Sequence, residues 1–252
     1  MGKHHHETDE SSRAAHGALL CVSFTGPDDL VDPKKLHTFQ QAFPFVEWSV
    51  LVCPSMTGQP HYPKRRWIHN FIEQVPGRKC LHICESNIHD FIDGEKSITD
   101  LAQSFNRVQL NFWQRRDPVD ARAVDAAARA FGKPVIVPYN PGNKDVVDQM
   151  TAPNIQYLYD LSGGTGKEAE KWPDLTVGRK CGQAGGLHAG NITRHWPALV
   201  ASAKGQPFWL CLENGLRDKA SGEFSFDRAK GMATKVADLA GLKVRREFFH
   251  NL

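Results

Sequence analysis

Apolar and β-branched residues in this chain gather into eight short runs bounded by Gly, Pro, Asn or Asp. They are Ala18–Phe24, Val46–Val52, Lys79–Glu85, Arg107–Phe112, Pro134–Asn140, Ile155–Asp160, Arg179–Gly185 and Phe208–Asn214. Runs of this length and composition predict strands. Their starts fall about 21 to 33 residues apart, the length consumed by a strand, a loop, a helix and a second loop. The intervals carry helix-like patterns over Asp32–Phe43, Lys64–Gln74, Val119–Phe131, Ile192–Ala203 and Phe226–Leu239, with a weaker one over Lys144–Met150. Eight such units in 252 residues predict an α/β fold, a single (β/α)8 TIM barrel over 17–252. The competing open doubly wound sheet would carry a glycine-rich turn after its first strand. Here that turn is Ser23-Phe24-Thr25-Gly26-Pro27, with one glycine and no GxGxxG. The seventh run, Arg179–Gly185, is polar and glycine-rich and reads least clearly as a strand. Residues 1–16 show no periodicity and are expected to form a disordered or tag-like tail, with His4-His5-His6 a tag remnant or solvated stretch rather than a metal site.

Composition narrows the class. Hydrophobic residues make up 40% and charged residues 23%, which excludes disordered and fibrous chains. No apolar run approaches the roughly 18 residues a transmembrane helix needs, and Met1–Ser12 is polar where a signal peptide requires an apolar core. Lys and Arg number 31 against 28 Asp and Glu, giving a net charge of +3 without a basic block. Neither nucleic acid nor an anionic membrane is therefore an expected partner, while a small anionic ligand is compatible. Cys21, Cys53, Cys80, Cys84, Cys181 and Cys211 lie mostly in apolar runs such as ALLCVSF and FWLCLEN, so reduced core thiols and a cytoplasmic location are expected. Cys80 and Cys84 face the same side of one strand, but no second pair at zinc spacing follows, and no metal or cofactor is expected.

A parallel barrel builds its active site at the carboxyl ends of its strands. The sixth run ends Tyr159-Asp160-Leu161-Ser162-Gly163-Gly164-Thr165-Gly166, which sets a carboxylate at the mouth before a glycine-rich loop. A helix-capping aspartate followed by a turn would read the same way. The run Gly163 to Glu168 is not a P-loop, since it lacks the first glycine and the hydroxyl residue after lysine. The seventh run leads into Ala184-Gly185-Gly186-Leu187-His188-Ala189-Gly190-Asn191, and the eighth ends Leu212-Glu213-Asn214-Gly215-Leu216-Arg217. Glycines on those two strands let backbone amides approach an anion closely, so Gly185, Gly186, Asn214 and Gly215 are candidate phosphate ligands. Cys53, Cys84, Glu85 and Glu213 are further strand-end residues, read first as core or loop structure.

These segments resemble phosphoribosylanthranilate isomerase. Asp160 with Gly163-Gly164-Thr165-Gly166-Lys167 and Trp172 is similar to that family's aspartate, GGTGK and tryptophan segment; Ala184-Gly185-Gly186-Leu187 with Asn191 resembles its AGGL…N segment. Glu213-Asn214-Gly215-Leu216-Arg217 stands where the family has a serine-serine-glycine-valine phosphate loop, Val108-Gln109-Leu110 looks like the start of its VQLHG strand, and Thr25-Gly26-Pro27-Asp28-Asp29 is similar to the segment after its first strand. The likeness runs in order from about residue 18 to 240. It implies a barrel isomerase of tryptophan biosynthesis that binds a small phosphorylated ligand and performs an Amadori rearrangement, a reaction that needs an acid at the ring oxygen and a base at C2.

The departures are specific. The family's first-strand cysteine falls at Val22; the adjacent Cys21 replaces it only if a bulge changes the register, because one residue along a strand reverses the side chain. The segment holding the family's substrate-carboxylate arginine is here Gln59-Pro60-His61-Tyr62, and the histidine-glycine of the fourth strand becomes Asn111-Phe112. Asp160 and Cys21 are thus the candidate catalytic residues, and His61 and Asn111 the candidate substrate ligands. Three readings follow: a phosphosugar-binding barrel without the pathway reaction, an active isomerase with Asp160 as acid and a relocated base, or a non-catalytic scaffold.

Overall fold

The computed structural model describes residues 19–251. Strands β1 (Leu19–Thr25), β2 (Val46–Val52), β3 (Lys79–Ile83), β4 (Arg107–Leu110), β5 (Val135–Pro138), β6 (Ile155–Asp160), β7 (Cys181–Ala184) and β8 (Phe208–Leu212) pair in parallel in chain order, and β8 returns to β1. This is the expected closed (β/α)8 barrel. Several strands stop short of their expected carboxyl ends, where the chain leaves the sheet to build the mouth. Residues 1–16, with His4-His5-His6, and the first residue of the run Ala18–Phe24 lie outside the described residues.

Strand alternation divides the side chains between two layers. Val22 and Phe24 of β1, Val46, Trp48, Val50 and Val52 of β2, and Phe208, Leu210 and Leu212 of β8 belong to the large apolar layer between strands and helices. Cys21, Cys80, Ile136, Leu158 and Trp209 form a second cluster inside the barrel. Both faces of these strands are buried, which is why they read as nearly continuous apolar runs rather than clean alternations.

Eight helices are described: α1 (Pro33–Ala42), α2 (Arg65–Gln74), α3 (Ser86–Ile92), α4 (Lys96–Gln103), α5 (Ala121–Phe131), α6 (Lys144–Val147), α7 (Ile192–Ala203) and α8 (Phe226–Ala240). Capping explains their ends. Asp32 accepts from Lys34 N with Pro33 opening α1, Asp120 accepts from Ala123 N ahead of α5, and Gly132 and Gly241 close α5 and α8 with positive φ. Two features depart from the sequence expectation. The interval between β3 and β4 holds two helices, α3 and α4, each too short to give a long apolar period and separated by Gly94. Between β6 and β7 there is no helix; residues 161–180 form a loop that buries Ala169, Trp172 and Leu175 in the outer layer. Leu175 N donates to Ser202 O of α7 (2.9 Å), and Trp172 Nε1 donates to His195 Nδ1 (3.1 Å), so one backbone and one side-chain hydrogen bond anchor this loop to α7. The weakly patterned Lys144–Met150 forms only the single turn α6. No described helix is long and apolar enough to cross a membrane.

The lower half of the barrel is filled by an unusual polar plug. Glu47 and Arg107 form an ion pair at 2.6 Å with their side chains 4% and 10% exposed, and Arg107 also donates to Gln156 Oε1 (3.3 Å) and lies 4.5 Å from the centre of the Trp209 ring. Ser23 Oγ donates to Glu47 Oε1 at 2.7 Å. A side chain at position 182 would overlap the Trp209 indole, so Gly182 makes room for that ring. Because Glu47, Arg107, Gln156 and Trp209 occupy the first or second positions of their strands, the plug seals the amino-terminal end and leaves the interior open only above it.

Candidate functional site at the barrel mouth

Above the plug, the carboxyl ends of the strands and their loops enclose a cavity of about 410 Å³. Its floor includes the inward side chains Leu51, His82, Gln109, Leu158 and Cys211, and its wall carries three acidic side chains, Glu85, Asp160 and Glu213, and one basic one, Arg116. Arg116 pairs with the neighbouring Asp117 at 2.8 Å.

Six of the nominated residues gather here: Asn111, Asp160, Gly185, Gly186, Asn214 and Gly215 all line the cavity. Asp160 is held by its own loop. Its Oδ1 accepts from Ser162 N (3.0 Å) and Ser162 Oγ (2.7 Å), and Oδ2 accepts from Gly164 N (2.8 Å). The side chain therefore both faces the mouth and ties down the glycine-rich turn. Asn111 Nδ2 donates to Cys84 Sγ (3.3 Å), and Asn111 Oδ1 accepts from Gln109 Nε2 (2.7 Å).

The glycines bring three loops into contact. A Cβ at Gly186 would sit 2.6 Å from the Glu168 nitrogen, with φ +62° already in the left-handed region; a Cβ at Gly215 would overlap the Leu187 carbonyl oxygen, and one at Gly166 would overlap Asn214. Small residues are required for this close packing of the loops after β6, β7 and β8. The backbone amides of Gly185, Gly186, Asn214 and Gly215 donate no hydrogen bond to another described residue.

Cys21 and His61 are placed elsewhere. β1 does contain an irregularity, since Leu19 pairs with Phe208 and Cys21 with Trp209, leaving Leu20 as the extra residue. That bulge lies at the amino-terminal end. Cys21 points inward, but into the plug, where its sulfur is 3.5 Å from Arg107 Nη2 and burial pushes the thiol up to about 12. Val22 packs outward in the apolar layer. The first strand thus presents neither residue to the cavity. His61 stands behind the wall, its Nδ1 2.7 Å from Glu213 Oε1, its amide donating to Asp28 Oδ2 (3.1 Å). A carboxylate of this chain already occupies the position expected for a substrate carboxylate. Asp28 is itself paired with Arg217 at 3.0 Å, both nearly fully buried, so the loops after β1, β2 and β8 are clamped together.

The structure adds residues that the strand-end reading ranked low or omitted. Glu213 and Glu85 both reach the cavity. Glu85 has φ +55°, a strained conformation for a residue with a side chain, and its carboxylate accepts from Ser55 N (3.1 Å) and Ser55 Oγ (2.6 Å), bonds that hold its pKa below the ordinary value. Tyr62 lines the wall with its hydroxyl pushed up to about 12 by burial and by Glu213. Burial also raises the Cys84 and Cys211 thiols to about 12, so neither is a thiolate at neutral pH. All six cysteines are free thiols. Trp113, 41% exposed, lines the rim beside Gly163. The inward position of His82 was implicit in the alternation Leu81-His82-Ile83, but nothing in that pattern shows what it faces.

The architecture defines a (β/α)8 barrel with an accessible mouth. Among solved structures, a mandelate oxidase mutant with a C4a-OH-FMN adduct superposes with a TM-score of 0.53 at 13% identity, covering 90% of this chain and 78% of that one. A mutant tryptophan synthase α-subunit from the hyperthermophile Pyrococcus furiosus gives 0.51 at 15% identity, covering 90% and 99%. At such identities the likeness establishes the fold alone. Neither is a phosphoribosylanthranilate isomerase. No family model matches this chain, and no curated protein matches it.

Proposed function

We propose that the barrel mouth binds a small phosphorylated, sugar-type ligand, with the phosphate taken by the backbone amides of Gly185, Gly186, Asn214 and Gly215. The observation that carries this reading is that these four amides, on neighbouring loops of one cavity, have no hydrogen-bond acceptor in the described chain. Backbone amides can hold an anion without a lysine or arginine, as at helix starts and in glycine loops. Addition of inorganic phosphate to ¹⁵N-labelled protein is expected to shift the amide resonances of these four residues selectively. Unchanged resonances at millimolar phosphate would remove the reading.

The tryptophan-pathway reaction is not part of this proposal. Its first-strand base has no counterpart at the mouth, since Val22 faces the helices and Cys21 lies in the plug. Val22→Cys would place a thiol in the outer apolar layer and is expected to restore no activity. One arrangement favours a second reading, an aldose–ketose isomerisation. Asp160 and Glu213 flank the β7 loop on one cavity wall, and Glu213 has one oxygen held by His61. Glu213 would take the C2 proton of the open-chain aldose and return it to C1 of the resulting enediol, while the hydroxyl proton passes from O2 to O1 through the Asp160 carboxylate, so that the aldose becomes the ketose with no net gain or loss of protons. Incubating ribose 5-phosphate with the protein in D₂O should then give deuterium at C2 by NMR, and Glu213→Gln should abolish it. No exchange in the wild-type protein would leave binding alone.

A further inference from the structure

Two buried polar groups on the cavity floor have no partner. His82 of β3 and Gln109 of β4 are direct register neighbours, both face the cavity, and they are 3% and 6% exposed. His82 Nε2 and Gln109 Oε1 are both buried without a hydrogen bond. The orientation of the glutamine follows from its other end: Gln109 Nε2 donates to Asn111 Oδ1, and Asn111 Nδ2 donates to Cys84 Sγ, which leaves the carbonyl oxygen over. Burial, assisted by the Arg107 charge, depresses the His82 pKa from 6.5 to about 3, so the ring is neutral. Unmatched polar atoms in a protein interior are uncommon and destabilising, and because both residues line the open cavity, rotation of the imidazole and the carboxamide about their side-chain bonds would bring the pair to an incoming molecule.

Charge restricts what that molecule presents. Among the described residues lining the cavity, Arg116 is the one cation from lysine or arginine, and it is paired with Asp117; Glu85, Asp160 and Glu213 are all acidic. A carboxylate or a second phosphate at the floor would meet no countercharge. A neutral group with hydroxyl donors needs none. We propose that His82 and Gln109 form a subsite for the uncharged, hydroxyl-bearing end of the ligand, a vicinal diol of a sugar, one hydroxyl donating to Gln109 Oε1 and its neighbour hydrogen-bonding His82 Nε2. The inference deepens the phosphosugar reading and rests on it for the other end of the ligand: phosphate at the glycine loops, diol at the floor. Leu51, Leu158 and Pro138 supply the apolar surface around the floor pair.

The test compares inorganic phosphate, ribose 5-phosphate and D-ribose on the full chain and on His82→Leu and Gln109→Met. Wild-type protein is expected to bind ribose 5-phosphate at least about tenfold more tightly than phosphate by calorimetry. Both variants should reduce that ratio to about threefold or less while keeping the phosphate affinity, which also reports that they are folded. Since each substitution removes an unpartnered polar atom, His82→Leu should unfold at no lower temperature than wild type. A ratio unchanged in both variants, or a wild type that binds ribose 5-phosphate no better than phosphate, overturns the subsite while the loop reading stands. If neither phosphate compound binds, the loop reading has failed and D-ribose decides separately. Saturation-transfer signal from D-ribose that is lost in His82→Leu upholds the subsite; no signal in wild type overturns it.

Discussion

At the scale of single residues, the buried imidazole of His82 makes the clearest claim. Its pKa of about 3 in the folded protein lies below the ordinary 6.5, so between those values the unfolded chain takes up a proton that the folded protein refuses. Stability is unaffected by this group above pH 6.5 and declines as the pH falls toward 3. Each pH unit in that window removes roughly 1.4 kcal/mol, so about 2 kcal/mol should be lost by pH 5. Urea titrations at pH 7 and pH 5 should show that loss in wild type and a smaller one in His82→Leu. Equal losses in both would show that the ring is not held neutral. Cys21 illustrates the opposite outcome of a residue-level reading. An inward-facing cysteine on a first strand looks reactive by position, but two features decide against a role at the mouth: its depth in the strand and the Glu47–Arg107 pair that surrounds it.

At the scale of elements, the mouth depends on contact between loops. Gly215 meets the Leu187 carbonyl, Gly186 meets the 167–168 backbone, and Gly166 meets Asn214, so the loops after β6, β7 and β8 form one unit. Gly215→Ala should force the β7 and β8 loops apart, destabilise the protein by about 1–3 kcal/mol, and weaken phosphate binding in the same variant. A thermal melt and a phosphate titration would check the two effects; an alanine accepted without either would mean the loops are not packed this closely. Helical elements were readable from sequence in proportion to their length and caps. The α5 pattern of Val124, Ala128 and Phe131 between Asp120 and Gly132 carries period, start and stop together. In α3 and α4 the apolar residues cover barely two turns each, and the loop that replaces a helix after β6 shows only as a segment rich in Gly and charge.

The whole molecule is organised by closure of the barrel around a charged interior. Glu47 and Arg107 lie on β2 and β4, and Gln156 and Trp209 extend their contacts to β6 and β8, so one group of side chains touches four strands around the ring. Breaking such a buried pair from one side leaves an uncompensated charge. Glu47→Gln is expected to destabilise the fold by about 3–5 kcal/mol in equilibrium denaturation, whereas replacing both partners with apolar residues of similar volume should recover most of the loss. A Glu47→Gln protein of wild-type stability would show that water reaches the pair.

What the amino-acid order determined alone was the repeating unit and its count. Eight apolar runs at intervals of one βα unit, glycine and asparagine at the strand ends, and apolar faces at helical spacing are local properties, written in residues close together in the chain. They suffice for a barrel and for the prospect that Asp160 and the glycine loops lie at one end of it. Which side chains share a cavity was decided only in three dimensions, because barrel closure joins residues far apart in sequence: His61 with Glu213, Asp28 with Arg217, Cys21 with Arg107. Height inside the barrel was equally invisible. Alternation sets His82 and Gln109 on one side of their strands, but only the register of β1 against β8 turns Cys21 rather than Val22 inward, and the stagger between strands sets Cys21 in the sealed plug and the other two on the open floor.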